Sequence, residues 1–314
     1  MKERLLSFVV CPECKSDFSL EGKVYESAEV KEGSLLCKSC ARTYPIKNFI
    51  PRFVGGDSYV DNFSFEWQVH RTTQLDSVNG TKQSEESFKS STGWNPEDLK
   101  GKLTLDVGCG TGRYSEIALN YGAELIMMDL SFAVDSAFLN MGLKEMVHLI
   151  QADVFHLPFK PEQFDVIFSI GVLHHTPDPP GAFSCLPPLL KKNGKIAIWV
   201  YDKYFVERMS IMSQLYRKIT RKLPRRWLYA LSYFAVPYYY LALIPWLGLF
   251  FRALVPISVH PNWRWRVLDT FDWYSPSYTW GFSAGEVFEW FEMMGLKNIK
   301  VLKYPPVSVR GEKV

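Results

Sequence analysis

With 314 residues, 47% apolar and 22% charged, the chain has the make-up of a globular protein throughout, which excludes an extensively disordered one. That length accommodates one large α/β domain and a small appendage. A net charge of +3 is too small to argue for nucleic acid by itself, so nucleic acid is an unfavoured but open partner class. The opening residues, MKERLLSFVVCPEC, are charged and lack an apolar run of secretory length. They predict a cytoplasmic protein, with membrane association as the alternative, whose six cysteines serve metal or catalysis rather than disulfides. The Asn-x-Ser/Thr triplets at Asn62 and Asn79 then carry no meaning.

Cys11-Pro-Glu-Cys14 is followed, after an interval of 22 residues, by Cys37-Lys-Ser-Cys40. Two such knuckles deliver four thiolates tetrahedrally to one zinc, against the alternative of four unconnected buried thiols. A segment of this size with few large apolar groups needs such a staple. Four thiolates leave no open position for water, so the metal's role is structural. FSLEGKVY and LLCKSCARTYPI read as strands, predicting a hairpin between the knuckles. The stretch CPECKSDFSL…LLCKSCARTYPIKNFIPRF, over about residues 8–54, resembles the zinc ribbons of small activator proteins that partner tRNA and protein methyltransferases. Such ribbons are also fused in front of methyltransferase domains. We therefore expect a ribbon at 1–55, then a linker with N-terminal helices at 56–100.

From residue 101 onward, apolar strands alternate with helical patterns: 102–108, 124–131, 147–155, 164–171 and 194–202, with a helix expected around AFSCLPPLLKK. This alternation predicts a parallel sheet covered on both faces, with ligands at the carboxyl ends of its strands. The first strand runs into LDVGCGTGRYS, whose glycines Gly108, Gly110 and Gly112 fall as G-x-G-x-G rather than the dinucleotide spacing G-x-G-x-x-G. Asp106, Asp129 and Asp153 stand at three consecutive strand ends. Any one of them serves equally well as a helix cap. Together around a glycine turn they point to a nucleoside, with Asp129 placed for ribose hydroxyls and Asp153 for an adenine amine.

LDVGCGTGRYSEIAL, MMDLS, QADVFHLPF and FDVIFSIGVLHHTPDP, in that order over residues 101–202, are similar to the four successive motifs of class I S-adenosylmethionine-dependent methyltransferases. The resemblance implies a doubly wound, mostly parallel seven-stranded sheet (Rossmann-like) within residues 101–314. It implies that Gly108–Gly112 hold the amino-acid end of the cofactor and Asp129 with Leu130 its ribose. Asp153 and Val154 would face the adenine, and Ser169 with Ile170 the methionine part. FEWQVHRTTQLDS, GWNPEDLKGK and TFDWYSPSYTWGFSAGEVFEWFEMMGL resemble uncharacterised bacterial methyltransferases carrying the same ribbon, which adds no substrate.

His174 and His175 follow the fourth strand, where a titrating imidazole could take a proton from an acceptor; His175 is the one expected to face the site. The alternative is that one packs and the other caps a turn before Pro177. Tyr201, Asp202, Asp269 and Asp272 are weaker candidates, more readily read as hydrogen-bonded structural residues. His70, His148, His156 and His260 read as structural, and Cys109 and Cys185 as small buried residues. Trp199 and the 261–266 segment belong either to the core or to a substrate cavity.

An insert at 203–280 begins with a basic stretch (Arg208, Arg217, Lys218, Arg221, Lys222, Arg225, Arg226) and continues into a charge-free run from Trp227 to Phe251, 25 positions long and broken by Pro237 and Pro245. A helical lid is the first reading, a membrane-contacting lid through 203–258 the second, and a full span the least favoured. The expected function is methyl transfer from S-adenosylmethionine to a small or lipophilic metabolite or biosynthetic intermediate. The alternatives are an RNA methyltransferase using the ribbon for its substrate, and a non-catalytic protein that holds a partner. Nothing in the sequence sets the oligomeric state.

Overall fold

The computed structural model describes residues 1–54, 61–203, 211–220, 222–303 and 306–314. Arg208 and Arg221 of the basic stretch lie outside the described residues. At the N-terminus, β1 (Phe18–Glu26), β2 (Glu29–Cys37), β3 (Thr43–Lys47) and β4 (Ile50–Pro51) form an antiparallel sheet in sequence order. Its hairpin β1–β2 separates the two cysteine pairs, as expected.

The main sheet contains β5 (Leu103–Val107), β6 (Glu124–Asp129), β7 (Val147–Gln151), β8 (Phe164–Ile170), β9 (Leu190–Val200), β10 (Lys297–Lys303) and β11 (Val307–Glu312). The spatial order is β10-β11-β9-β8-β5-β6-β7; β9 to β7 run parallel and β11 returns antiparallel to both neighbours. This is the doubly wound, mostly parallel seven-stranded sheet. The central strands read as unbroken apolar runs because both of their faces are covered. Residues such as Leu105, Ile167 and Ile196 are fully buried.

One expected helix is shortened. AFSCLPPLLKK holds the end of a helix at Pro179–Ser184 and a single turn at Pro187–Leu189, and β9 then starts at Leu190 rather than at Gly194. Pro187 and Pro188 supply no N–H to a continuing helix, so the chain turns into the strand early.

The ribbon is built onto the free edge of the main sheet. Arg52, just past β4, bridges Gln151 of β7 in parallel register, and Val9 bridges Phe159. The buried Arg52 guanidinium donates to Gln151 Oε1 at 3.0 Å and to Asp135 Oδ1 at 2.6 Å. Leu5, Val9, Phe18, Leu35 and Phe53 share one core with Ile150, Val154, Leu157 and Phe159. Each such fully buried side chain contributes about 1.5–3 kcal/mol, so the seam joins the ribbon to the sheet as one folding unit.

The insert is a cluster of short helices: Ile211–Thr220, Arg225–Ser232, Ala235–Ala242, Leu247–Leu254 and Trp263–Tyr274. The charge-free run is thus cut into pieces of eight residues, each about 12 Å long. Among the described residues no helix is long and apolar enough to cross a membrane, which corrects the full-span reading. Pro237 sits in the first turn of its helix, where its missing N–H costs nothing. At the end of the insert Trp280 N–H donates to the His174 carbonyl, and just beyond it Phe282 N–H donates to that of Tyr201, tying the segment to the turn after β8 and to the end of β9.

Candidate active site

A cavity of about 410 Å³ opens where β5, β6, β7, β8 and β9 end. Its size suits a small-molecule site. At one end lies the glycine turn. Gly108 has φ +80°, and a Cβ there would stand 2.4 Å from the Val172 methyls, so only glycine fits. Gly110 N–H donates to Asp129 Oδ2 at 2.9 Å, linking the first strand end to the second. Ser131 donates to Asp129 Oδ1 from its N–H at 2.8 Å and its hydroxyl at 2.7 Å. These bonds fix the carboxylate: Oδ1 takes two donors and Oδ2 one, so Oδ2 retains acceptor capacity for a ribose hydroxyl. Burial holds the Asp129 carboxyl above its usual range. Leu130, Asp153, Val154 and Ile170 complete this end of the lining. Asp153 Oδ1 accepts from Phe155 N–H at 3.1 Å, which orients it at the end of β7.

Three expected cofactor residues stand behind the wall. Asp106 is 3% exposed beneath the turn, where it accepts from the Ser115 hydroxyl. Burial pushes its carboxyl up to about 7, the Ser115 bond opposing and the Asp129 charge adding. Ser169 donates its hydroxyl to the Val107 carbonyl at 3.0 Å. Gly112 packs on Met141 and Met127. These groups shape the turn without lining the cavity. Only glycines and strand-end acids have the turn-like signature that sequence can show, and it does not tell which side of the wall a residue faces.

The opposite end is a chamber of aromatic and acidic side chains, including His175, Trp199, Tyr201, Asp269, Asp272 and Trp273. Asp269 and Asp272 stand three apart on the helix Trp263–Tyr274 and so share one face. Tyr201 donates to Asp272 Oδ2 at 3.4 Å, and the Ser258 hydroxyl donates to Asp269 Oδ2 at 2.9 Å. Burial pushes Asp269 up to about 7 and Asp272 up to about 6. Behind them Glu66 is fully buried, and its oxygens have no partner among the described residues. Its carboxyl is held well above the usual range by burial first and by Asp272 and Asp269 next.

His175 lines the chamber, and its Nδ1–H donates to the Tyr278 carbonyl at 2.9 Å. Burial lowers it to about 4, so the ring is neutral at neutral pH. His174 does not line it. This ring packs 3.9 Å from Tyr201 and 4.1 Å from His175, with neither nitrogen partnered among the described residues. Successive residues of the tight turn Leu173–His175 point different ways, which separates the pair and removes His174 from contact with the cavity.

Of the weaker candidates, Tyr201, Asp269 and Asp272 belong to the chamber while Asp202 does not. Trp67 and Trp273 were not anticipated as lining residues. A sequence signal for the acids exists: two carboxyls three apart within the otherwise aromatic WRWRVLDTFDWY helix. Trp199 lines the chamber, whereas Trp265 is buried beside Arg113, whose guanidinium lies 5.1 Å from its ring. Cys109 also lines the cavity, but burial holds its thiol well above the ordinary range. His148 pairs with Glu124 at 3.1 Å, and His70 with the Tyr229 hydroxyl at 3.0 Å, in structural roles.

In the ribbon, the sulfurs of Cys11, Cys14, Cys37 and Cys40 all lie within 4.8 Å of one another. The pairs Cys14–Cys37 and Cys11–Cys40 are 3.4 and 3.7 Å apart. Tetrahedral zinc with bonds of about 2.3 Å places sulfurs about 3.8 Å apart, so the cluster fits that ion. Lys15 and Ala41, each just after a pair, adopt positive φ, which closes the two knuckles.

The fold and this cavity define a Rossmann-like domain with a small-molecule cavity at its strand ends, behind a four-cysteine ribbon. Residues 105–198 match the family described as a methyltransferase domain, and residues 2–48 the family described as Trm112p-like protein. The chain therefore joins a Trm112p-like domain to a methyltransferase domain. It is similar to the tRNA U34 carboxymethyltransferase of Pseudomonas paraeruginosa, 35% identical over 108 residues, 32% of this chain and 33% of that one. It is also similar to the ubiquinone biosynthesis O-methyltransferase of Pasteurella multocida, 34% identical over 110 residues, 31% of this chain and 46% of that one. A solved complex that contains the Haloferax volcanii Trm112 methyltransferase activator matches with a TM-score of 0.47 and 12% identity, over 80% of this chain and 97% of that one. The chain spans about a third of the length of the first of these relatives.

Proposed function

We propose that the protein transfers a methyl group from S-adenosylmethionine to an acceptor held in the aromatic and acidic chamber. One observation carries this reading: a single cavity runs from the glycine turn and Asp129 to Tyr201, Asp269 and Asp272. Bound there, the cofactor would supply a methyl carbon already activated on a sulfonium. Asp129 would accept a ribose hydroxyl, Asp153 the adenine amine, and Leu130, Val154 and Ile170 would pack the apolar surfaces. The chamber's aromatic rings would exclude water and orient the acceptor.

His175 is a poorer proton acceptor than the sequence suggests, because burial lowers it to about 4. Asp272, raised to about 6 and bonded to Tyr201, is better matched to general-base work near neutral pH. We assign it that role, with Tyr201 positioning the carboxylate and His175 forming part of the wall.

The chamber favours a small or lipophilic acceptor, since its walls are rings and its roof belongs to the apolar insert. An RNA acceptor is the second reading, and by relatives' names it stands ahead, the first listed being tRNA-modifying. Against it, the family match ends at residue 198, short of Tyr201, Asp269 and Asp272. Incubation with methyl-labelled cofactor and either total tRNA or a lipid extract separates the two. Label in the organic phase is the result expected; label in tRNA alone would reverse the order.

A further inference from the structure

The helices of the insert bury only part of their apolar surface. Ala235, Tyr238 and Ala242 form a small core with Ile257, and a Cβ on Gly248 would stand 2.3 Å from the Ala242 carbonyl oxygen. Many of their large apolar side chains face outward. Trp246 is 91% exposed, and Trp227, Tyr240, Leu249 and Phe250 are each more than 60% exposed. A lid that merely roofed the cavity would turn such side chains inward, as surface helices of globular proteins do.

The charge around this face is one-sided. Residues 208–268 contain no Asp or Glu and ten Lys or Arg, so a segment of +10 sits in a chain of +3 and leaves −7 for the rest. Lys218, Lys222, Arg226, Arg252 and Arg264 are exposed beside the rings. Two copies of so basic a face would repel each other. Cations at the headgroups with aromatic rings at the interface fit an anionic lipid surface.

We propose that the exposed face of the helices Arg225–Ser232, Ala235–Ala242 and Leu247–Leu254 docks on the surface of an anionic lipid bilayer. The helix Trp263–Tyr274 packs against the first two of these and carries Asp269 and Asp272 into the chamber. Docking therefore brings the acceptor end of the cavity to the lipid, which deepens the lipophilic-acceptor reading. The docking itself rests on the surface and not on that reading.

The test is sedimentation of the full-length protein with vesicles of phosphatidylcholine alone or with about 30% phosphatidylglycerol, at moderate salt. At least about tenfold more protein should travel with the anionic vesicles. Trp246→Glu with Phe250→Glu should abolish that binding while leaving S-adenosylhomocysteine binding unchanged by calorimetry, which also establishes that the variant folds. Lys222→Glu with Arg226→Glu should lose the preference for anionic lipid. Absence of binding to either vesicle, equal binding to both, or a lipid-independent dimer dissolved by the Trp246 and Phe250 changes would each overturn the proposal. Loss of cofactor binding by the wild type would strike the methyl-transfer reading alone, since vesicle binding needs no cofactor.

Discussion

The two ends of the cavity are made differently. The end proposed for the cofactor is assembled from backbone turns and strand termini, with Gly108, Gly110, Asp129 and Asp153 following one another through 46 residues of chain. The acceptor end draws on His175, Tyr201 and Asp272, side chains brought together from three separate segments spanning 97 positions of chain. A site made of turns is fixed by local sequence and serves one ligand; a site made of distant side chains is fixed by packing and can be respecified without disturbing the first. Changes at the two ends should therefore separate cofactor affinity from turnover.

The largest effect is expected at Asp129. Asp129→Ala removes the proposed acceptor for the ribose, a charge-assisted bond worth about 1.5–3 kcal/mol, together with the three bonds that tie the glycine turn to β6. Calorimetry should show S-adenosylmethionine affinity falling by at least about 100-fold. An unchanged affinity would remove the ribose assignment.

Next comes the ribbon, which is built onto the β7 edge of the sheet. Cys14→Ser should abolish bound zinc, measured by elemental analysis, and lower the melting temperature by about 10 °C or more. Because Phe18 and Phe53 share a core with Ile150 and Phe159, one transition should shift, rather than a separate one vanish. Two transitions in the wild type would contradict the shared core.

At the acceptor end, Asp272→Asn should lower kcat by about 100-fold, within the range of general-base removal. Cofactor affinity should stay within about twofold, since a 1.4 kcal/mol change would be needed for tenfold. A parallel loss of affinity would place Asp272 at the cofactor instead. At the other end, Gly108→Ala should weaken cofactor binding by about tenfold through its clash with Val172. Val172→Ala should restore part of the loss.

The smallest effect is one of pH. Asp269 and Asp272 are pushed up to about 7 and 6 by burial, so in the folded protein they stay protonated where the unfolded chain has ionised. Their contribution to stability is full below about pH 4 and is lost as pH rises through 6 to 7. Asp269→Asn with Asp272→Asn stays neutral throughout. Its melting temperature relative to wild type should therefore rise between pH 5 and pH 8 by a few degrees, about 2–4 °C per kcal/mol. A difference that stays flat or falls would mean the two carboxyls are not buried as described.

The same contrast explains what the sequence disclosed. The four cysteines, the glycine turn and the strand-end acids are spaced by covalent geometry, so the ribbon, the sheet and the turn at one end of the cavity could be read from residue order. Asp269 and Asp272 looked structural because what gives them a role, the approach of their helix to Tyr201, exists only after packing. His174 and His175 are neighbours in sequence, and only the turn they occupy decides which one faces the cavity. The seam at Arg52 and Gln151 joins residues 99 apart and has no local signature. The insert's composition suggested burial or lipid; Tyr238 is buried while Trp227, Tyr240, Trp246 and Phe250 are exposed, a division that composition does not disclose.

The most direct test of a two-ended cavity is a crystal structure with S-adenosylhomocysteine. We predict the ribose on Asp129, the adenine between Asp153 and Val154, and the sulfur facing the space bounded by Tyr201, His175 and Asp272. A ligand whose sulfur points away from that space, or one seated elsewhere on the protein, would contradict the account.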